Sequence, residues 1–561
     1  MEKIKIKFNG KEVEVDSGKT ILDVAKELGV HIPTLCHFES LIPSGFCRIC
    51  LVEDRGALKA SCVTPVANGM EIQTDTPLVK QARYMNLQLL FGERNHYCMY
   101  CESSGDCELQ NLGYEFGLDH FDFPPYERKF PVDNSHEFIT IDHNRCVLCR
   151  RCVRGCSELA GHFVLGEKWR GTKTMIIADF DVPLGESTCT SCGLCVQICP
   201  TGAITDKRAA YLGRGVKSDI ITSTCDACPV GCGINVYRRS GTNFIIKIYG
   251  DWNAPINEGV LCKLGRYSVL YDERKRLSTS KIRDDFGYHK IDFDGVLKVA
   301  KSKIGENAVA YVDGSLYNEE LSLIKEVFGK NVYSVNPVEP PIPSSTDLSG
   351  LSKAEGYVVI GVDLNRDYGV VGSMIKRKVL GEERAKLFVV DDKFNSLTNA
   401  TGNVFAFKDI EKALEQAKGL KDVVVVYSAL SDDVKDVLLK HDEFKYLWLP
   451  YETNTIGLIK NGIRYETVNA KNVFFFGKDY KKIREKFPDA FIVAATPFEI
   501  EATDNVDLVI ATKDGFEREG TFYNLEGKSL ERNKVLESEN DVIDLVDLLS
   551  ELSGKKKSEV I

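Results

Sequence analysis

The second half of this chain has no cysteine. All 19 lie between positions 36 and 262, and the last 299 residues contain none. Thiol chemistry is therefore confined to the first half, and the remainder lacks a soft metal ligand. No apolar run approaches the roughly 18 residues that a membrane-crossing helix needs, so no membrane-embedded segment is expected. No G-x-G-x-x-G follows a strand-like run and no P-loop occurs, which removes the usual nucleotide cradles. Positive charge is not in excess either. The net charge of −10 gives no reason to expect nucleic acid or anionic lipid as a partner. The opening "MEKIKIKFNGKEVEV" alternates apolar and charged residues without the apolar core of a signal peptide, so a cytoplasmic location is expected. In that reducing compartment an odd number of cysteines reads as metal ligands rather than disulfides. At 561 residues several domains are required.

The cysteines fall into four groups. Cys36, Cys47, Cys50 and Cys62 are spaced C-x10-C-x2-C-x11-C. They follow a predicted β-hairpin turning at Asn9-Gly10 and a predicted helix over "SGKTILDVAKELG", with Thr20 as N-cap and Gly29 beyond the end. Cys62 is placed in a strand, "ALKASCVTPV". In the second group, "ERNHYCMYCESSGDCELQNL", His96, Cys98, Cys101 and Cys107 offer three thiolates and an imidazole. The alternative for His96 is an ordinary loop histidine beside a three-cysteine cluster. The third group holds Cys146, Cys149, Cys152 and Cys156, then Cys189, Cys192, Cys195 and Cys199 before Pro200, both as C-x2-C-x2-C-x3-C. In this two-cluster pattern the fourth cysteine crosses to the other cluster. Cys199 thus joins Cys146, Cys149 and Cys152, and Cys156 joins Cys189, Cys192 and Cys195. Ser157 stands where a proline usually follows. The fourth group is Cys225, Cys228, Cys232 and Cys262. Four-cysteine zinc is the alternative for the first and fourth groups. Together the four groups use every cysteine in the chain.

These motifs resemble, over almost the whole length, the large iron–sulfur subunit of complex I and its NAD-linked hydrogenase and formate dehydrogenase relatives. The resemblance implies a β-grasp [2Fe–2S] ferredoxin domain over residues 1–78 and a one-histidine, three-cysteine [4Fe–4S] segment over 79–120. It implies a two-[4Fe–4S] ferredoxin domain over 137–208 and a molybdopterin-oxidoreductase-type [4Fe–4S] domain over 218–283. Residues 284–561 are expected to form a truncated, molybdopterin-oxidoreductase-like α/β domain. There are departures. Only Tyr97 separates His96 from Cys98, where complex I typically has three residues, and Leu264 replaces a glycine in the segment Lys263, Gly265, Arg266. The runs "NAVAYV", "GYVVIGV", "KLFVVDD", "DVVVVYS", "NVFFFG" and "AFIVAAT" predict strands of a mainly parallel sheet. "GFEREGTFYNLEGK" (515–528) is similar to the end of the large complex I subunit. A pterin-bound metal usually takes a cysteine, selenocysteine or serine ligand. With only His289 and His441 and no cysteine beyond Cys262, no molybdopterin is expected. "NPVEPPIPSSTDLSG" (336–350) is read as a proline-rich surface connection or an insertion over a cofactor's place, and "SGKKKSEVI" as a mobile tail.

The function so implied is an electron-transfer subunit, without a catalytic residue of its own, carrying one [2Fe–2S] and four [4Fe–4S] clusters. Its partners would be an NADH-binding flavoprotein iron–sulfur subunit that carries FMN and NAD(H), a small thioredoxin-like [2Fe–2S] subunit, hydrogenase small and large subunits, and ferredoxin. The favoured complex is a soluble, electron-bifurcating nickel–iron hydrogenase, because the chain has neither a pterin ligand nor the cysteine motifs of an iron-only hydrogenase. The alternatives are a molybdenum or tungsten formate-dehydrogenase-like catalyst and the large subunit of complex I.

Overall fold

The opening alternation becomes a hairpin in the computed structural model, which describes residues 2–120, 122–123, 128–271, 273–305, 307–399, 402–478, 483–499, 505–539 and 541–555. Strands β1 (Lys3–Phe8) and β2 (Lys11–Asp16) pair antiparallel. Asn9 and Gly10 between them have φ of +46° and +82°, the left-handed pair a tight hairpin turn requires. In α1 (Ile21–Glu27), Thr20 and Asp23 exchange capping bonds, which satisfies two orphan N–H groups. Three short strands come after it: β3 (Leu51–Asp54), β4 (Ala57–Ala60) and β5 (Glu71–Gln73). The sheet runs β2-β1-β5-β3-β4 with β1 and β5 parallel, a β-grasp arrangement over which Ile21, Leu22 and Val24 of α1 are buried. Cys62 is not in a strand. β4 stops at Ala60, and the chain turns there, Thr64 N–H bonding back to the Ala60 carbonyl at 3.1 Å; the turn brings the Cys62 thiol toward Cys50.

Helices α2 (Pro77–Gly92) and α3 (Glu108–Glu115) come next, then β6 (Val132–Asp133) and β7 (Ile139–Asp142). α4 (Arg151–Arg154) continues into a π-turn at Gly155–Leu159. After it come the hairpin β8 (Leu165–Lys168) and β9 (Met175–Ala178), α5 (Leu194–Ile198) and β10 (Ile204–Asp206). α4 and α5 pack closely at Gly155, where a Cβ would lie 2.3 Å from the Ile198 Cδ1. These elements close one compact unit, Met1–Ser218.

The second unit, Asp219–Ile561, begins with a small sheet, β11 (Ser218–Thr224), β12 (Gly233–Arg239) and β13 (Ile245–Gly250), followed by α6 (Lys263–Arg266). A hairpin of β14 (Lys281–Asp284) and β15 (Gly287–Lys290) then leads into two parallel sheets. The first contains β16 (Ala308–Val312) and β17 (Val332–Ser334). The second contains β18 (Gly356–Ile360), β19 (Lys386–Val390), β20 (Val404–Phe407), β21 (Val423–Tyr427) and β22 (Lys445–Trp448). The chain then returns to the first sheet with β23 (Arg464–Tyr465), β24 (Asn472–Phe476), β25 (Phe491–Thr496) and β26 (Leu508–Ala511).

All six predicted apolar runs are strands. β16, β18, β21 and most of β24 and β25 are buried along their length, as strands covered on both faces must be. The strand orders are β26-β25-β24-β16-β17-β23 and β20-β19-β18-β21-β22, every neighbour parallel. Numbered along the chain, each sheet has the 3-2-1-4-5 order of a doubly wound fold, and the first completes it with a sixth strand.

The proline-rich stretch is not a loose surface connection. Val338, Ile342 and Leu348 are buried, and Ser344 and Ser345 accept the Trp448 and Tyr446 N–H groups at 2.9 and 2.8 Å. It therefore satisfies donors along β22 while linking the two sheets. The last six residues of the expected tail lie outside the described residues. Among the described residues no helix is long and apolar enough to cross a membrane.

In the β11–β13 module, a Cβ on Gly250 would lie 2.1 Å from the Gly259 carbonyl oxygen. Backbone cannot yield as a side-chain tip can. Gly250→Ala should cost about 1–3 kcal/mol, read as a lower Tm with the rest of the fold intact by circular dichroism. An unchanged Tm would show that this approach is relaxed.

Candidate metal centres

The first four thiols converge in the β-grasp unit. Cys36 Sγ accepts the Cys47 N–H at 3.5 Å, and the Cys50 and Cys62 sulfurs are 3.3 Å apart. All four side chains are buried. Hydrogen bonds from Cys47 and Cys62 pull the Cys36 thiol down, while Cys47 and Cys62 are pushed above the thiol range. Four thiols competing for so few protons in an apolar interior suit a cationic metal centre.

His96 shares a cavity with Cys98, Cys101 and Cys107, closed by Phe91, Leu109 and Gly202. Its Nε2 is buried and has no hydrogen-bond partner among the described residues. Burial lowers its pKa to about 4, against a hydrogen bond to the Leu90 backbone. A neutral imidazole held by its own backbone contact, with one nitrogen free in a thiol-lined cavity, is oriented as a metal ligand is. Gly202 has no side chain for a reason: a Cβ there would stand 2.5 Å from Cys101 Sγ. The cavity space beside that sulfur exists because residue 202 leaves it.

The two C-x2-C-x2-C-x3-C motifs fold alike. Leu148 and Ser191, each two residues after the first cysteine, have φ of +52° and +59°. Arg150 and Gly193, each one after the second cysteine, have φ of +60° and +68°. Left-handed backbone at non-glycine residues is strained. Here it turns the Leu148 and Ser191 N–H groups onto Cys146 Sγ and Cys189 Sγ, both at 3.4 Å. Gly193 alone could have signalled this turn in the sequence; Leu148, Arg150 and Ser191 carry no such mark. Cys146, Cys149, Cys152 and Cys199 line a single cavity with Ile141, Ile176 and Ala203. Cys156 lies within electrostatic reach of Cys189 and Cys195. The structure thus brings each crossing cysteine to the other motif. Burial pushes Cys146 up to about 11 and Cys189 to about 12.

The fourth group is buried in the second unit. Cys225 N–H bonds to the Cys232 carbonyl at 2.7 Å. Gly265 makes room for the Cys225 sulfur, 3.0 Å from where its Cβ would be, and Gly369 makes room for Cys262, 2.5 Å from its Cβ position. Burial pushes Cys225 up to about 12 and Cys228 and Cys232 well above the ordinary thiol value. The rise at Cys262 is opposed by the Gly265 and Leu264 N–H groups.

Among the described residues no group of three or more His, Cys, Asp or Glu side chains converges as a single metal ion requires. In the His96 and Cys146 sets the sulfurs instead surround cavities. Thiols buried without charge partners, amide N–H groups aimed at sulfur and glycine-cut space fit iron–sulfur clusters. A pterin dinucleotide does not fit. Its place in a doubly wound sheet is the crevice where strand order reverses, here between the ends of β16 and β24. That crevice is filled from within. Arg518 donates to both Glu320 oxygens at 3.0 Å, Lys478 pairs with Asp514 at 2.8 Å, and Lys513 pairs with Asp544 at 2.6 Å. The cations that would meet a diphosphate are already neutralised.

His96→Ala should make one [4Fe–4S] centre labile, lowering iron by about four atoms per chain and leaving the others. His96→Cys should keep that centre but lower its potential, because an added thiolate disfavours the electron. Gly202→Val should imitate His96→Ala. Iron analysis and redox titration followed by EPR decide; unmoved values in all three variants would remove His96 as a ligand.

Four family models match in series. They are a 2Fe-2S iron-sulfur cluster binding domain over residues 1–77, the NADH-ubiquinone oxidoreductase-G iron-sulfur binding region over 83–121, the ferredoxin-like domain of NADH-quinone oxidoreductase subunit 3 over 136–205, and the molybdopterin oxidoreductase Fe4S4 domain over 219–271. One of two NADH-quinone oxidoreductase G subunits, that numbered 2, of Rhizobium meliloti is 33% identical over 50% of this chain, which spans only 33% of that protein. The NADH-quinone oxidoreductase G subunit of Rickettsia felis is 26% identical over 99% of this chain and 88% of its own length. A crystal structure of an NAD+-reducing [NiFe]-hydrogenase in the H2-reduced state is 32% identical over 37% of this chain and 90% of that one, with a TM-score of 0.36. With its matched iron–sulfur regions in the order of its four cysteine groups, this chain belongs to the NADH-quinone oxidoreductase-G family of iron–sulfur proteins and carries a molybdopterin oxidoreductase Fe4S4 domain.

Proposed function

We propose that this chain is the electron relay of a cytoplasmic NAD(H)-linked oxidoreductase complex. In this reading the first group holds a [2Fe–2S] cluster. The His96 set, the two crossed ferredoxin sets and the Cys225 set each hold a [4Fe–4S] cluster. When bound, such clusters accept and release single electrons. One observation carries the reading: Cys36, Cys47, Cys107 and Cys149 are buried in a single apolar core with Leu35, Leu87 and Val147. Ligands from three of the sets thus share one packed interior, and three centres there would be near neighbours. Rigid links support that spacing. Arg154 donates to the Cys36 carbonyl at 2.6 Å, and Arg151 holds Glu108 through two bonds of 2.6 and 2.8 Å.

The protein's own part is to hold sulfur, exclude water and aim N–H groups at it. A hydride carries two electrons and each centre takes one, so a flavin must divide the pair. The sequence offers no nucleotide cradle for it, and the FMN and NAD(H) sites are assigned to a flavoprotein subunit, with a small [2Fe–2S] subunit beside it. For the far end we favour a nickel–iron hydrogenase module with ferredoxin as a second carrier, because two complete ferredoxin motifs are retained and the pterin crevice is filled. A second reading, the large subunit of a complex I, is supported by the match along nearly the whole chain to the Rickettsia felis protein. The proteins that co-purify distinguish the two.

The complex purified without oxygen should contain about 18 iron atoms per copy of this chain, with no molybdenum or tungsten assigned to it. The isolated chain should bleach with dithionite but not with NADH, and adding the flavoprotein should restore NADH-driven bleaching. Rapid bleaching of the flavin-free chain by NADH would overturn the relay.

A further inference from the structure

Arg532 belongs to none of the cysteine groups, yet it is 1% exposed and among the largest fully buried side chains of the protein. It straddles Cys225. Its guanidinium donates to the carbonyl of Thr224, one residue before the cysteine. It pairs at 3.4 Å with the carboxylate of Asp226, one residue after. Nε donates to the Gly515 carbonyl at 3.3 Å. Asp226 is fixed in turn: its side chain accepts the Tyr317 hydroxyl at 3.2 Å, and its carbonyl accepts the Thr453 hydroxyl at 2.7 Å. Gly515 leaves the space that the carboxylate fills, since a Cβ there would lie 2.8 Å from Asp226 Oδ2.

A buried ion pair is a poor device for stability alone, because well-packed apolar side chains of the same volume do as well or better. This pair also sits where a charge has unusual leverage. In a low-dielectric interior, a unit charge beside a centre that changes charge by one electron shifts its reduction strongly. We propose that Arg532 and Asp226 set the potential of the centre on Cys225, Cys228, Cys232 and Cys262. Arg532 favours the reduced, more negative state; Asp226 opposes it. The bond to the Thr224 carbonyl keeps the guanidinium beside the sulfur. One electron enters or leaves, and no protein bond forms or breaks. The pair thus acts as a fixed counter-charge next to a crevice that holds no cofactor of its own. This inference rests on the reading of those four cysteines as cluster ligands.

The test is an anaerobic redox titration of the cluster-loaded protein followed by EPR, with the signal assigned by its loss in Cys228→Ala. Poised at the wild-type midpoint, Arg532→Gln should cut the reduced-to-oxidised ratio of this centre about tenfold, a shift of about 59 mV for one electron. Asp226→Asn should raise the ratio. The double variant should return toward wild type, because the two effects oppose, and the other four centres should not move. Arg532→Lys, which keeps the charge but loses the two-sided grip, should fall between wild type and Arg532→Gln. If Arg532→Gln loses the centre altogether, Asp226→Asn decides alone: its midpoint must rise. Single variants that shift the midpoint in the same direction, or not at all, with the centre fully loaded, would overturn the proposal and leave Arg532 a purely structural strut. A wild-type protein that lacks this signal would instead defeat the ligand assignment itself.

Discussion

Buried sulfur without compensating charge is the constraint on which this protein is organised. Thiols at Cys149, Cys152, Cys195, Cys228 and Cys232 are all held in surroundings that resist their ionised form. A thiolate there is favourable only beside a cation. The fold therefore creates sites whose chemistry is complete only when metal is present. Its other features, including left-handed turns, excised side chains and buried arginines, serve those sites.

The left-handed residues are the clearest case. In each ferredoxin motif two positions adopt positive φ, and three of these four residues are not glycine. That strain has a local return, because it directs an amide N–H at a sulfur in each motif. Backbone donors can stabilise the extra electron of a reduced centre without adding a titratable group. The close packing of Gly155 against Ile198 then brings the two motifs near enough for their fourth cysteines to exchange places.

The second unit shows a fold retained after its usual ligand site has been refilled. Both parallel sheets have the doubly wound order, yet the crevice of the first is occupied by Glu320 with Arg518 and by Lys478 with Asp514. The network extends to Asp226 and Arg532 beside Cys225. Charge that a cofactor might have supplied comes here from side chains, and it lies against an iron–sulfur site.

Much of this was legible in the chain itself. Short-range spacing determined the four ligand sets, because two or three residues between cysteines limit the reach of their sulfurs to one centre. Period-two and continuous apolar patterns determined the first hairpin and six of the parallel strands, and Thr20 marked the start of its helix. The short strands β17, β20, β22, β23 and β26 were not read, being too brief or too flanked by charge to stand out. Cys62 was placed in a strand because β-branched neighbours suggested one, whereas sulfur convergence required a turn. The proline-rich link was read as surface, yet its hydroxyls cap the edge of β22. Only tertiary structure decided that His96 leaves one nitrogen unpartnered in a thiol cavity, that the pterin crevice is closed by ion pairs, and that Arg532 grips Cys225 from more than three hundred residues away. Sequence spacing encodes contacts made along a few bonds; which distant charge fills a cavity depends on how the sheets pack, and no local pattern records that.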